Sequence, residues 1–309
     1  MKIVRGKQSS PARVVIYGTE GIGKSTLASQ FPDPVVLDTE DGTRHLDVAR
    51  VAIGDWKELT LAVAELAVNP QGFKTVVVDS ADWAEKLLIE SMLKDSGKKS
   101  IEDYGYGKGY TVLQEHVARF LHSCDKLIAA GLHVVFVAHA KVQRTSPPDQ
   151  TDGYDRYELK LTKQVAPLFK EWADAVLFAN YRLKLVEGND GRMKARGGKE
   201  RIVYAERSAA WDAKNRYGLP EEMPMGIEHL APLFAGGTAP IAKQRSGWLD
   251  RVADAQTVAA LGEIADDADQ AVSAGDMTES QRNRLDVEIA KRHSQIEPAA
   301  DLEHAEADA

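Results

Sequence analysis

Short runs of β-branched and aliphatic residues recur along the chain, each closed by a glycine, an acid or a turn. RVVIYG at 13–18, PVVL at 34–37, TVVVD at 75–79 and HVVFVA at 133–138 lack the polar alternation of a half-exposed strand. They read as strands buried on both faces. Helical spacing fills the gaps between them: a helix opening over 25–31, one at 56–68 with Leu59, Val63 and Leu66 on one face, and one at 83–94. Another spans 112–130, where Val117, Phe120, Leu121, Leu127 and Ile128 form the stripe. Strand and helix alternate, which predicts an α/β fold with a mainly parallel central sheet flanked by helices.

Further strands are expected at 175–179, 181–186 and 201–206, the last two as an antiparallel hairpin across 189–198. From about Arg245 the sequence turns to Ala, Asp, Glu and Gln at helical spacing. Leu261 and Ile264 mark one helix, and Thr278 with Gln281 forms a capping box ahead of Leu285, Ile289 and Arg292. The expected organisation is a core over 1–240, a small C-terminal helical extension over 245–296, and an acidic, disordered tail over 297–309.

Composition narrows this little. The chain has 309 residues, 43% of them hydrophobic and 28% charged, so it can bury a sizeable core. Its net charge of −8 means that any grip on nucleic acid must come from local basic loops. The single cysteine, Cys124, has no partner for a disulfide or a metal site, which fits a reducing compartment. No segment has the length and apolarity of a membrane span or of a secretory signal, so a cytoplasmic location without membrane contact is expected.

The chemistry begins where the first strand ends. Gly18, Thr19, Glu20, Gly21, Ile22, Gly23, Lys24 and Ser25 match the P-loop pattern in full, with Thr26 beside them, between a strand and a helix. Glycines let the backbone amides point at phosphate oxygens, and Lys24 is expected to reach the β- and γ-phosphates of ATP. Ser25 supplies a hydroxyl for a magnesium ion (Mg2+), and Asp79, closing a buried strand, stands where a second metal-side ligand is expected.

These residues resemble the RecA-like ATPases, and more narrowly the phage-encoded single-strand annealing ATPases of the Sak group. Glu20 inside the P-loop, the VVLDTED segment and VVVDS carry the likeness, which covers roughly 13–220. The resemblance implies a RecA-like P-loop NTPase core in which Glu40 is the general base for the attacking water, with Asp38 and Asp41 as competing acids. It implies that His139 is a polar sensor of the γ-phosphate. Gly18 lies close to the start of the chain, which implies that the N-terminal polymerisation segment of RecA is missing.

Other parts of the chain extend the resemblance to partners. Lys214 and Arg216, in AKNRYGLP, are candidates to reach the nucleotide of an adjacent subunit in a homo-oligomer. Two loops are candidates for single-stranded DNA. The first, 94–110, carries Lys98, Lys99, Tyr104, Tyr106 and Lys108; the second, 141–157, carries Lys141, Arg144 and Arg156. Glu102, Asp103, Asp149, Asp152 and Asp155 oppose phosphate binding there unless they face away or bind metal. The implied activity is slow ATP hydrolysis coupled to DNA binding, promoting strand annealing or exchange in a phage-infected bacterial cell, possible partners including a single-strand DNA-binding protein. A helicase or helicase-loader motor, or an ATP-gated regulatory module without significant hydrolysis, remains the alternative.

Overall fold

The computed structural model describes residues 6, 10–146, 153–187, 193–234, 247–274 and 277–296. The chain divides into two compact units, Met1–Pro240 and Ile241–Ala309. The expected acidic tail over 297–309 lies outside the described residues, as do Asp149 and Asp152.

The first unit is built on a sheet whose strands, among the described residues, run β10-β8-β7-β1-β5-β4-β2-β3, with β6 added to β5 and β9 to β7. These are β1 (Arg13–Gly18), β2 (Pro34–Asp38), β3 (Ala49–Ala52), β4 (Thr75–Asp79), β5 (His133–Thr145), β6 (Tyr154–Leu159), β7 (Ala175–Glu187), β8 (Met193–Tyr204), β9 (Lys214–Asn215) and β10 (Glu222–Pro224). From β3 across to β7 every neighbour is parallel, and β8 and β10 continue antiparallel. The carboxyl ends of β1, β5, β4 and β2 therefore lie side by side.

Alternate residues of each central strand feed opposite cores. Val15, Tyr17, Val76, Val78, Val134 and Phe136 face one core together with Leu59, Leu88 and Leu121. Those three lie on α2 (Trp56–Val68), α3 (Ala81–Ser96) and α4 (Lys108–Ala129). Val14, Ile16, Val77, Val135 and Val137 face the other, with Leu27 of α1 (Lys24–Ala28) and Leu230 and Leu233 of a short 3-10 helix. Burial on both faces explains the unbroken apolar runs; each fully buried aliphatic side chain contributes about 1.5–3 kcal/mol.

Three expectations are corrected. Helix α1 stops at Ala28 rather than near Phe31: the chain tightens into i→i−3 bonds, Gln30 N to Leu27 O at 3.1 Å and Phe31 N to Ala28 O at 3.3 Å, and Pro32 disfavours helical backbone at Phe31. Residues 175–179 and 181–186 are one strand, β7, with a register shift between Tyr181 and Leu183. The supposed loop 141–157 is not a loop over most of its length: β5 runs on to Thr145 and pairs with β6, from Ala140 opposite Leu159 to Thr145 opposite Tyr154. Leu159 and Tyr157 of β6 pack on the core, and the strand also carries buried charge. Arg156, 7% exposed, meets Glu158 and Asp212, and Lys170 of α5 (Ala166–Trp172) reaches the same two acids.

The second unit contains α6 (Gly247–Asp254), α7 (Val258–Ala274) and α8 (Glu279–Ile296) around Val252, Leu261, Ile264, Ala268, Met277 and Leu285. The capping box is present: Gln281 N donates to Thr278 Oγ1 at 3.2 Å, and Thr278 N donates to Gln281 Oε1 at 2.8 Å. Among the described residues no helix is long and apolar enough to cross a membrane.

Candidate nucleotide-binding site

Where β1 ends, the backbone passes so close to β7 that a Cβ on Gly18 would stand 2.0 Å from the Ala179 carbonyl oxygen. Ile22, fully buried, pins the middle of the following loop to the core, and Gly23 then takes φ 106° to turn the chain into α1. Lys24 is only 5% exposed, and its ammonium donates to the carbonyl oxygens of Gly18 (3.2 Å) and Thr19 (2.9 Å). Burial lowers its pKa, against the pull of Asp79, Asp82, Glu40 and Glu20. Thr19 Oγ1 is buried without a hydrogen-bond partner among the described residues, and Glu20 points outward to Lys160 at 3.8 Å.

Asp79, 6% exposed at the end of β4, lines the same cavity as Ser25 of α1. Burial pushes its carboxyl pKa up and the nearby Glu40 and Asp38 add to that, while Ser25 and Lys24 oppose it. A hydroxyl and a carboxylate held together beside the phosphate loop are hard oxygen donors. They fit a magnesium ion, which takes few protein ligands and fills its octahedron with water and phosphate oxygen.

Three acids follow β2, and the structure gives each a different position. Asp38 is 3% exposed and in register with Asp79. Its carboxylate accepts the amides of Glu40 and Gly42 at 3.2 Å and of Thr43 at 3.0 Å, and also the Thr43 hydroxyl. Burial pushes Asp38 upward, but these bonds outweigh it and the net shift is downward. Asp38 is thus the internal brace of the turn. Asp41 faces out and pairs with Arg44 at 2.5 Å. Glu40, between them, lies within reach of the Ser80 hydroxyl, which donates to it at 3.4 Å.

His139 sits at the end of the buried stretch of β5. Asp82, in the first turn of α3, accepts from both its backbone N (3.0 Å) and its ring Nδ1 (2.9 Å). The Asp82 bond raises the imidazole pKa against the effect of burial. Burial pushes the Asp82 carboxyl up, but its bonds to His139 bring the net shift down. The pair locks one ring nitrogen and leaves Nε2 for another partner.

These groups converge on a cavity of about 320 Å³, within the range of small-molecule sites. Gly21, Gly23, Lys24, Ser25 and Thr26 line it from the P-loop, Asp38, Glu40, Gly42 and His45 from β2 and its turn, Asp79 from β4, His139 from β5 and Arg201 from β8. Of these, Arg201 and His45 were not singled out from the sequence, Asp38 was named only as a competitor of Glu40, and Asp82 behind His139 was not singled out either. Asp82 could have been noticed from its place one helical turn after Asp79; nothing in RIVYAE marks Arg201.

The other candidates are placed elsewhere. Lys214 donates to the carbonyl oxygens of Lys170 and Glu171, and Arg216 pairs with Asp174 at 2.9 Å. Both stand by the amino end of β7, where Lys214 pairs with Val176, at the sheet edge opposite the cavity. Tyr104 donates its hydroxyl to Met92 O, and Lys98 donates to Asp103 O and lies over the Tyr104 ring. Lys141 donates to Leu161 O at 2.6 Å, and Arg156 is buried in its ion pairs. Lys99, Tyr106, Lys108 and Arg144 are exposed, Tyr106 fully so between Gly105 and Gly107.

A relative in Bacillus subtilis strain 168, the SPbeta prophage-derived uncharacterized protein YorG, is 25% identical over 132 residues. That stretch is 41% of this chain and 40% of the relative, so the chain spans well under half the length of the relative it matches. Over residues 10–217, from just before β1 to just past β9, the sequence matches the family model described as an AAA domain. The phosphate loop, the Ser25–Asp79 pair and this match over more than half of its length agree: the chain belongs to the AAA domain family of P-loop ATPases.

Proposed function

We propose that the protein is a RecA-like ATPase that couples hydrolysis to binding of single-stranded DNA and promotes strand annealing or exchange in phage-type recombination. The observation that carries the reading is the origin of the carboxylate. Ser80, not an acid, follows Asp79, and Glu40, which lines the cavity and acts electrostatically on both Lys24 and His139, comes from the turn after a neighbouring strand.

In this reading Glu40 accepts the proton of water as its oxygen bonds to the terminal phosphorus. The bond from that phosphorus to the bridging oxygen breaks, giving ADP and inorganic phosphate. Lys24 and the loop amides neutralise the phosphate charge, and Nε2 of the Asp82-braced His139 supplies a hydrogen bond. A magnesium ion held by Ser25 and Asp79 would add positive charge on the phosphates when bound.

DNA contact, in the same reading, falls to Lys99, Tyr106, Lys108 and Arg144, the candidates whose side chains are exposed. An exposed aromatic between glycines and beside lysines suits stacking without sequence readout. The prophage origin of the relative supports a phage setting, hence a bacterial cytoplasm, and assembly into a homo-oligomer acting with a single-strand DNA-binding protein belongs to the same proposal. The test is the ATPase rate titrated with single-stranded DNA, followed by annealing of complementary strands with and without ATP. Stimulated turnover and ATP-dependent annealing are expected; turnover indifferent to DNA, with annealing no faster than in buffer, would remove the DNA assignment.

A further inference from the structure

The antiparallel hairpin of β7 and β8 overhangs the phosphate loop. Gly18, the last residue of β1, is level with Ala179, and β7 continues beyond it to Glu187. Tyr181 and Arg201 face each other across the hairpin just past that level. The Tyr181 hydroxyl lies 3.5 Å from the Gly21 carbonyl oxygen, and Arg201 Nη1 lies 2.9 Å from where a Cβ on Gly23 would stand. Only a glycine at 23 admits the guanidinium so close.

The charge around Arg201 is as telling as its place. The acids of this part of the sheet are taken by Arg182, whose guanidinium meets Glu200 at 3.0 Å and Glu222 at 3.3 Å. Arg201 has no carboxylate partner among the described residues, yet it lines the cavity with Lys24, Ser25 and Thr26. The acidic side of that cavity, Asp38, Glu40 and Asp79, comes from β2 and β4, across β1 and β5 from β8.

We infer that Arg201 is a second phosphate-binding cation of the nucleotide site, supplied by the same chain and acting on the phosphates that ADP retains. A guanidinium is planar, permanently charged and able to bond two phosphate oxygens at once, whereas Lys24 is a point charge. Because Arg201 enters from the side of β1 away from Glu40, it is assigned to the phosphates that ATP and ADP share.

The inference rests on the nucleotide reading of the P-loop, so the experiment tests the two separately. ATP, ADP and inorganic tripolyphosphate are titrated into the full chain, into Arg201→Ala and into Lys24→Ala, with the melting temperature of each ligand-free variant as the folding control. Arg201→Ala should weaken all three ligands by about tenfold or more. Arg201→Lys should restore part of the affinity. Unchanged affinity in Arg201→Ala alongside loss in Lys24→Ala overturns the role of Arg201 alone. Unchanged affinity in both variants overturns the nucleotide reading itself. Weakened ATP with unchanged tripolyphosphate also overturns the inference, since it means contact with the base and not with the phosphates. If Arg201→Ala melts early without ligand, Arg201→Gln carries the same comparison.

Discussion

Replacing Asp38 by asparagine isolates the brace beneath Glu40. One carboxylate oxygen accepts the amides of Glu40 and Gly42, and the other accepts the amide and hydroxyl of Thr43. An asparagine offers one acceptor oxygen, so it can keep one side of this set while turning an NH2 toward the donors of the other. At least two bonds to a charged acceptor are lost. At about 1.5–3 kcal/mol for each bond to a charged group, partly recovered because the Thr43 hydroxyl can rotate to accept, the expected loss is about 2–4 kcal/mol. Since the folded Asp38 pKa is depressed, this contribution is present above the unfolded carboxylate value and fades as the pH falls through the folded one. Urea unfolding at neutral pH reads the stability, and steady-state ATPase reads the consequence for Glu40. Turnover should fall while ATP affinity, set by the P-loop on another element, changes little. Thr43→Val, which removes one of the four bonds, should cost less, and the two changes should be non-additive. An Asp38→Asn protein as stable and as active as the parent would refute the brace.

Two further outcomes follow from the paired groups. The raised His139 pKa means that its bond to Asp82 contributes fully below the ordinary histidine value of 6.5 and fades as the pH rises through the folded value. The Asp82 contribution, with its depressed pKa, is lost only as the pH falls below 3.8. Unfolding free energies of the parent and His139→Gln, compared between about pH 5.5 and about pH 9, should therefore converge as the pH rises; a constant gap would contradict the pairing. Arg156→Met should cost about 1.5–3 kcal/mol, the scale of a lost bond to a charged group, because Lys170 still partners Glu158 and Asp212. It should leave the salt dependence of DNA binding untouched, whereas a shallower salt slope would return Arg156 to the DNA surface.

The central strands and the phosphate loop were legible because both are local. A strand buried on two faces must be apolar throughout, as 13–18 and 75–79 are, and the P-loop gathers its chemistry into a few consecutive residues. The hairpin of β5 and β6 was hidden for the opposite reason. Its β6 strand carries Arg156 and Glu158, which read as loop residues until Asp212 and Lys170, distant in sequence, are seen beside them. Arg201 was illegible because its approach to Gly23 depends on strand order and on register with Tyr181. Lys214 and Arg216 show the reverse: a basic cluster that reads as a site is occupied by backbone carbonyls and by Asp174. Among the acids of VVLDTED, spacing could not rank Asp38, Glu40 and Asp41; the turn that buries the first and sends the third to Arg44 did so.

The most direct test of the account is single-turnover hydrolysis of ATP by Glu40→Gln beside the parent, with ATP binding measured on the same preparations. The account predicts that the variant binds ATP as tightly as the parent and hydrolyses it about 10²–10⁴-fold more slowly, the contribution expected of a positioned base. Hydrolysis at the parental rate by a variant that still binds ATP would contradict it.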